Sequence, residues 1–511
     1  MRRRDFLHTT SLLPALAMAQ NRQQAQRNPN IVFILADDLG YGDLSCYNRE
    51  SRIATPNLDK LASQGVRFTD AHTPSAVCSP TRYGLLTGRY AWRTRLTQGV
   101  LDGFDPPLIE KDQVTVASFL KQQGYSTACF GKWHLGMQWT MKNGSAMPQR
   151  PSYSGGFRPG DDVDYSHRLS GGPRDVGFDE YFGISASLDM SPYCFIENDR
   201  TVGMPDVATP EDKTLFMNQV PGVRTKDFTL EGVMPAITSR AVRYLSAPAR
   251  RTQPFFLYMP LSAPHLPVVP NREFEGKSKA GKYGDFVVEM DACVGRVLDA
   301  MDKAGLAGNT AVFFSSDNGG LWHWWEFQES DDKASGRMTP RGRYVKDFGH
   351  QGNGPVLRGT KADSWEGGHR VPFLARWPGK IKAGAVSNRL ICHTDLLATC
   401  AAITGSALPK GAGEDSISML PALLEDKPAR TDVVLHTVQG QFAIRSGKWV
   451  LIESRGSGGF SLPRTVPVKA GEAEGQLYNL RTDPSQTRNV WSENSDVVER
   501  MRGLLARYRY R

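Results

Sequence analysis

Four apolar runs that stop abruptly at polar residues limit what this chain can fold into more than any other feature. Asn30–Ala36 (NIVFILA) ends at Asp37-Asp38, and residues 126–130 lead into Gly131-Lys-Trp-His134. Residues 254–260 lead into Ser262-Ala-Pro-His265, and Thr310–Ser316 ends at Asp317-Asn-Gly-Gly320. A run without polar alternation reads as a strand covered on both faces, the habit of parallel sheets. Amphipathic helical patterns lie between them over residues 56–62, 114–123 and 283–304. The last carries Phe286, Val287, Met290, Val294, Val297, Leu298 and Met301 on one stripe. This alternation predicts an α/β domain layered around a mostly parallel sheet. In such folds ligands gather beyond the carboxyl ends of the strands, where the polar clusters fall.

The rest of the chain divides around that core. At 511 residues there is room for a second, smaller one. Residues 142–176 and 322–356 read as insertions. After a helix over 395–403 and a Gly/Pro linker, residues 433–437, 441–444, 448–452 and 476–480 read as antiparallel strands, closed by a helix over 497–508. The expected division is a catalytic α/β domain over 28–404 and a C-terminal α+β subdomain over 405–511. The opening MRRRDFLHTTSLLPALAMAQ has a basic head, a short apolar stretch and small residues suited to signal peptidase. Residues 1–19 therefore read as an export signal, and Arg3-Arg4-Asp5-Phe6-Leu7 gives it a twin-arginine form. The apolar stretch falls short of the roughly 20 residues that span a bilayer, and no later segment reads as a membrane span. A periplasmic or secreted location follows. The net charge of +9 (62 basic, 53 acidic residues) is spread along the chain rather than gathered on a face. That argues against nucleic acid and suits an anionic substrate. Seven scattered cysteines form neither a dense disulfide framework nor a zinc-finger spacing.

The strand ends hold two kinds of residue. Asp37, Asp38, Asp317 and Asn318 are hard oxygen donors that suit calcium or magnesium better than zinc. Taken singly, Asp-Asp and Asp-Asn-Gly are also ordinary turn and cap sequences. Arg82, Lys132, His134, His265 and Lys361 could surround a multiply charged tetrahedral oxyanion with donors. Taken singly, a lysine is more often solvated and a histidine more often a packing residue. The stretch AVCSPTRYGLLTGRY (76–90) leaves Cys78 open as thiol nucleophile, buried filler or precursor of another group.

Cys78-Ser-Pro-Thr-Arg82 with Leu85-Leu-Thr-Gly-Arg89 closely resembles the signature of the type I sulfatases, within the alkaline phosphatase superfamily. Asp37-Asp38, Gly131-Lys-Trp-His-Leu-Gly136, Ser316-Asp-Asn-Gly-Gly320 and Glu366-Gly-Gly-His-Arg-Val-Pro372 follow that family's order, over residues 28–400. Gln476-Leu-Tyr-Asn-Leu480 with Asp483-Pro484 is similar to its tail subdomain. The resemblance implies an α/β sandwich and a sulfuric ester hydrolase. It implies that a maturation enzyme reads Cys78, Pro80 and Arg82 and oxidises Cys78 to Cα-formylglycine. One hydroxyl of the hydrated aldehyde attacks sulfur, and the other, once deprotonated, drives out sulfate. By the same resemblance Asp37, Asp38, Asp317, Asn318 and modified Cys78 ligate one calcium ion, with magnesium less favoured. Arg82 anchors the modified residue, and Lys132 and Lys361 bind sulfate oxygens. His134 is the base, and His265 protonates the leaving oxygen with Lys361. Twin-arginine export carries folded proteins, which fits modification of an unfolded motif before export.

Three other readings share these residues: a phosphonate or phosphate ester hydrolase of the same superfamily, an unmodified sulfated-glycan binder, and a cysteine hydrolase using Cys78 with His134 or His265. The leaving group is the open question. An exported enzyme with an open basic site favours sulfated saccharides over aryl sulfates. Trp322, His323, Trp324, Trp325, His350 and His369 could stack on or bind sugars, or pin a loop to the core. Asp189 and Tyr193 are further candidates for the sugar pocket.

Overall fold

The structure, a computed structural model, describes residues 28–150, 158–214, 216–321 and 357–510. Asn30–Ala36 is buried along its whole length because it lies between two parallel neighbours, Thr310–Ser316 and Phe255–Pro260. Its side chains alternate between two separate cores. Ile31, Phe33 and Leu35 point into one, and Val32, Ile34 and Ala36 into the other. Both faces are therefore dry, and a polar residue on either would lose about the 1.5–3 kcal/mol that each large apolar side chain contributes by burial.

The sheet has ten strands. In spatial order they are Ala385–Ser387, Val66–Phe68, Phe373–Arg376, Thr310–Ser316, Asn30–Ala36, Phe255–Pro260, Ser126–Lys132, Glu180–Ile184, Ile196–Glu197 and Arg200–Thr201. The central run from 310–316 through 180–184 is parallel. Antiparallel pairings flank it, so the sheet is mostly parallel rather than wholly so. Helices Pro56–Ser63, Val233–Ser246 and Gly281–Lys303 cover one face. Helices Cys78–Thr87, Val116–Gln122 and Leu396–Thr404 cover the other, completing an α/β sandwich. The expected helix over 114–123 is trimmed at its start by a capping box, in which Thr115 and Ser118 satisfy each other's backbone N–H groups. Glu180–Ile184 is a strand that the sequence reading did not identify. Among the described residues, no helix is long and apolar enough to cross a membrane, and all seven cysteines are unpaired.

A smaller antiparallel sheet takes Asp432–His436, Phe442–Ser446, Trp449–Ile452 and Gln476–Asn479 in chain order. The Ser495–Arg509 helix closes it by burying Val498, Met501 and Leu505 against Val434, Ile444, Leu451 and Leu477. This C-terminal unit braces two segments of the large domain. The His436 carbonyl accepts from Ala76 N–H and Ser75 Oγ, both at 3.1 Å. The Asp363 carboxylate accepts from Phe460 N–H at 2.7 Å and Ser461 N–H at 3.1 Å.

Gly131 shows how tightly the strand ends are drawn together. Its φ is +141°, and a Cβ there would lie 1.8 Å from the Pro260 carbonyl oxygen. Only glycine lets the Ser126–Lys132 strand pass its neighbour and deliver Lys132. Gly131→Ala is expected to cost about 2–4 kcal/mol, measured as a lower urea midpoint. An unchanged midpoint would show that this crossing is not tight.

Candidate active site

Because the central strands are parallel, their carboxyl ends meet along one edge. Asp37 and Asp38 leave the 30–36 strand, Asp317 and Asn318 the 310–316 strand, and Lys132 and His134 the 126–132 strand. Backbone bonds lock these ends together: Asp317 N–H to the Ala36 carbonyl and Asp37 N–H to the Ala263 carbonyl, each 3.0 Å. Asp38, His134 and Ala362 hold left-handed φ values of +66°, +56° and +79°. Such backbone is costly for a side-chain-bearing residue and persists only where the surroundings enforce it.

Helix Cys78–Thr87 begins at this edge and is buried throughout. Cys78 Sγ lies 3.6 Å from both Asp37 Oδ1 and Lys361 Nζ. One turn on, Arg82 directs Nε and Nη2 to Asp317 Oδ2 (3.1 and 2.7 Å) and Nη1 to the Lys132 carbonyl (3.1 Å). Lys132 Nζ is 2.6 Å from Asp37 Oδ2, and Lys361 Nζ reaches both oxygens of Asp38 at 2.8 Å. Three buried carboxylates are thus matched by three buried cations, which offsets a desolvation cost no single charge could bear. Burial alone would raise the Asp37 pKa, but Lys132, His265 and Arg82 outweigh it and hold the carboxyl at about 2. Burial opposes charge on Lys361, yet Asp38 keeps its pKa well above the usual lysine value. Burial, reinforced by Asp317, pushes the Cys78 thiol far up. A cysteine nucleophile needs the reverse, a lowered thiol pKa.

The two histidines take opposite poses. His134 Nε2 lies 2.7 Å from the Leu101 carbonyl. A carbonyl oxygen can only accept, so Nε2 carries the hydrogen, and buried Nδ1, without a partner among the described residues, keeps its lone pair. Burial, then Lys132 and Arg82, holds His134 well below 6.5, hence neutral. His265 donates Nδ1–H to the Leu266 carbonyl, turning Nε2 to 3.7 Å from Asp38 Oδ2.

All ten predicted site residues therefore occupy one buried neighbourhood. The donor set also suits a hard cation. Asn318 donates Nδ2–H to Asp38 Oδ1 and the Gly319 carbonyl, while its buried Oδ1 has no partner among the described residues. Ligand atoms of Asp37, Asp38, Cys78 and His265 lie within 4.8 Å of one another. A second such group, His72, Glu366 and His369, is fully buried, and Arg370 and Arg445 already pair Glu366 at 3.1 and 3.5 Å. His369 stacks beside His72, Nδ1 to Nδ1 at 3.0 Å, so it packs the core rather than facing a sugar. Tyr193 likewise spends its hydroxyl on the carbonyls of Asp189 and Val220. Trp322, His323, Trp324, Trp325 and His350 lie outside the described residues. Sequence reasoning missed Ser185 and Ser187, just past the unrecognised 180–184 strand, whose buried hydroxyls have no partner among the described residues. They follow the same strand-end rule as the rest.

Buried carboxylates ringed by lysines, an arginine and histidines, at the carboxyl edge of a parallel sheet, suit the handling of a tetrahedral oxyanion. The sulfatase family profile matches residues 29–406, and the chain belongs to that family; it is a sulfatase. It is 32% identical to an N-acetylgalactosamine-6-O-sulfatase of Bacteroides thetaiotaomicron, covering 97% of each chain. It is 35% identical to human arylsulfatase A over 94% of this chain and 86% of that one. A solved structure described under the metabolism of multiple glycosaminoglycans by Bacteroides thetaiotaomicron superposes with TM-score 0.76 at 30% identity, covering 95% of this chain and all of the other. A Pseudoalteromonas sulfatase (TM-score 0.70, 24% identity, 97% and 92% coverage) shares the fold.

Several buried histidines make the fold acid-labile. Burial is the largest cause in each case, holding His134 well below 6.5, His369 and His393 at about 3 and His436 at about 4. Unfolded histidines take up protons near pH 6.5 and these do not, so stability is lost as pH falls below that value. At pH 5.5 the loss is about 1.4 kcal/mol per histidine. Glu366, held at about 2 by Arg445, His72 and Arg370 against its burial, adds a further loss as pH falls through the ordinary carboxylate range. The urea midpoint should drop steeply between pH 7.5 and 5.5, and a flat profile would contradict these assignments.

Proposed function

We propose that this sulfatase removes sulfate from a saccharide, working with Cys78 as Cα-formylglycine and one calcium ion held by Asp37, Asp38, Asp317, Asn318 and residue 78. The observation that carries this reading is that Asp37 Oδ1 and Lys361 Nζ each lie 3.6 Å from Cys78 Sγ at the start of a buried helix. The orphaned Oδ1 of Asn318 supports a cation among the acids. Two relatives named for N-acetylgalactosamine 6-sulfate, similar over 97% and 86% of this chain, support a saccharide.

When present, the hydrated aldehyde supplies a nucleophile with a second hydroxyl, and the ion supplies Lewis-acid polarisation. The remaining work belongs to the protein. Lys132 and Lys361 place ammonium groups around position 78, where sulfate oxygens gather charge during transfer. Arg82 fixes Asp317 and the Lys132 carbonyl, so the site is organised before substrate arrives. His134 offers the free lone pair of Nδ1 to a hydroxyl proton. His265, with Nε2 turned to the centre, and Lys361 are placed to return a proton to the leaving oxygen.

Burial bears on maturation. Cys78 is 2% exposed and every residue of its helix is buried. A maturation enzyme must reach Cys78, Pro80 and Arg82 before the chain folds, so oxidation precedes passage through a twin-arginine exporter to the periplasm or beyond.

Sulfate release from a panel of defined sulfated saccharides and 4-nitrophenyl sulfate tests the substrate class. Faster turnover (kcat/KM) of a saccharide is expected; activity on the aryl ester alone would overturn the saccharide reading. Calcium should raise the Tm of the mature enzyme, by about 2.7 kcal/mol in stability at a hundredfold excess over Kd. Asn318→Ala should remove most of that shift. An equal shift in the variant would remove Asn318 from the ion's shell.

A further inference from the structure

The loop that follows Glu180–Ile184 is pinned by hydrogen bonds at two places. Its start is pinned where Trp133 N–H and His134 N–H donate to the carbonyls of Ile184 and Ser185, at 3.0 and 2.8 Å. Further along, the Asp189 carbonyl accepts twice, from the Tyr193 hydroxyl at 3.0 Å and Val220 N–H at 2.9 Å. The Asp189 carbonyl is thus fully engaged, whereas one oxygen of its carboxylate is not. Asp189 is 6% exposed, and among the described residues its buried Oδ1 has no hydrogen-bond partner. Nor, among those residues, do the buried hydroxyls of Ser185 and Ser187, at alternate positions before it.

A buried carboxylate oxygen without a donor is rare, because ionised oxygens accept strongly and the loss is not recovered elsewhere. Burial pushes the Asp189 pKa up, and the charges that pull it back are His265, Lys132 and Lys361, in that order. All three belong to the candidate reaction centre. The loop that carries Asp189 is bonded at its start to the backbone of Trp133 and His134, beside that centre. An aryl leaving group with no hydroxyl has nothing to donate there. A sugar carries hydroxyl or amide N–H donors next to the ester.

We propose that Asp189 is a specificity-determining residue that accepts a hydrogen bond from a hydroxyl or amide N–H of the departing sugar, close to the sulfated carbon. This rests on the saccharide reading above. The missing donor arrives with the substrate, so binding a sugar completes the acceptor and binding a bare arene leaves it unmet. A site built to bond a substrate hydroxyl discriminates far more strongly against an analogue lacking it than an apolar pocket does.

The test compares wild type, Asp189→Ala and Asp189→Asn on N-acetylgalactosamine 6-sulfate, or on whichever saccharide of the panel the wild type turns over fastest, and on 4-nitrophenyl sulfate. Monodeoxy analogues of that sugar extend the series. Asp189→Ala should lower kcat/KM for the sugar about tenfold or more beyond any change for the aryl ester, chiefly through KM. Asp189→Asn, which keeps an acceptor oxygen, should lose less. One deoxy analogue should be poor for the wild type yet no poorer than the parent sugar for Asp189→Ala. Parallel losses on sugar and aryl ester, or no deoxy analogue whose penalty vanishes in the variant, would overturn the assignment. A wild type that turns over no saccharide would instead overturn the reading on which it rests.

Discussion

The structure depends on one electrostatic constraint: Asp37, Asp38 and Asp317 are fully buried at neighbouring strand ends, and must be balanced there. Lys132, Lys361 and Arg82 supply that balance at 2.6–2.8 Å. Each cation comes from a different part of the chain. Lys132 ends a strand, Arg82 lies one turn into the Cys78 helix, and Lys361 sits on a loop braced by the C-terminal unit. Removing one member would leave a buried partner uncompensated, a loss of about 3–5 kcal/mol. The large domain and the C-terminal unit are therefore coupled through the chemistry they surround.

The same balance prepares the site for its substrate. Cations already fixed by carboxylates need little reorganisation when an anion arrives, which is how electrostatic stabilisation becomes catalytic rather than merely attractive. The left-handed backbone at Asp38, at His134 and at Ala362, which follows Lys361, fits this picture, since strained backbone persists only where the surroundings enforce it. Asp189 stands apart from this balanced set, since among the described residues no donor meets its buried Oδ1. On the proposal above, that acceptor is left for the departing sugar.

Much of this was legible in the sequence. The Asn30–Ala36 and Thr310–Ser316 runs read as doubly buried strands because neither core tolerates a polar side chain on them, and their bounds matched. The polar residues beyond them were legible as a cluster because parallel strands share a carboxyl edge. What was hidden had physical reasons. Glu180–Ile184 (EYFGI) is short, begins with an exposed glutamate and holds a glycine, so it lacks the apolar signature of its neighbours. With it went Ser185 and Ser187. His369 looked like a sugar ligand because it lies near the tryptophan-bearing insertion, whereas its contact with His72 comes from a residue nearly three hundred positions away. No local pattern carries such a contact. Nor does a sequence show that Tyr193 spends its hydroxyl on backbone carbonyls.

The most direct test of the central claim, that the side chain at position 78 is the group which meets the sulfate, is quantitative mass spectrometry of the peptide ending at Arg82. It would be run on preparations that differ in exposure to the maturation enzyme and read against sulfate release from the same samples. The account predicts activity proportional to the formylglycine fraction and vanishing with it. Undiminished turnover by protein carrying only cysteine at position 78 would contradict it.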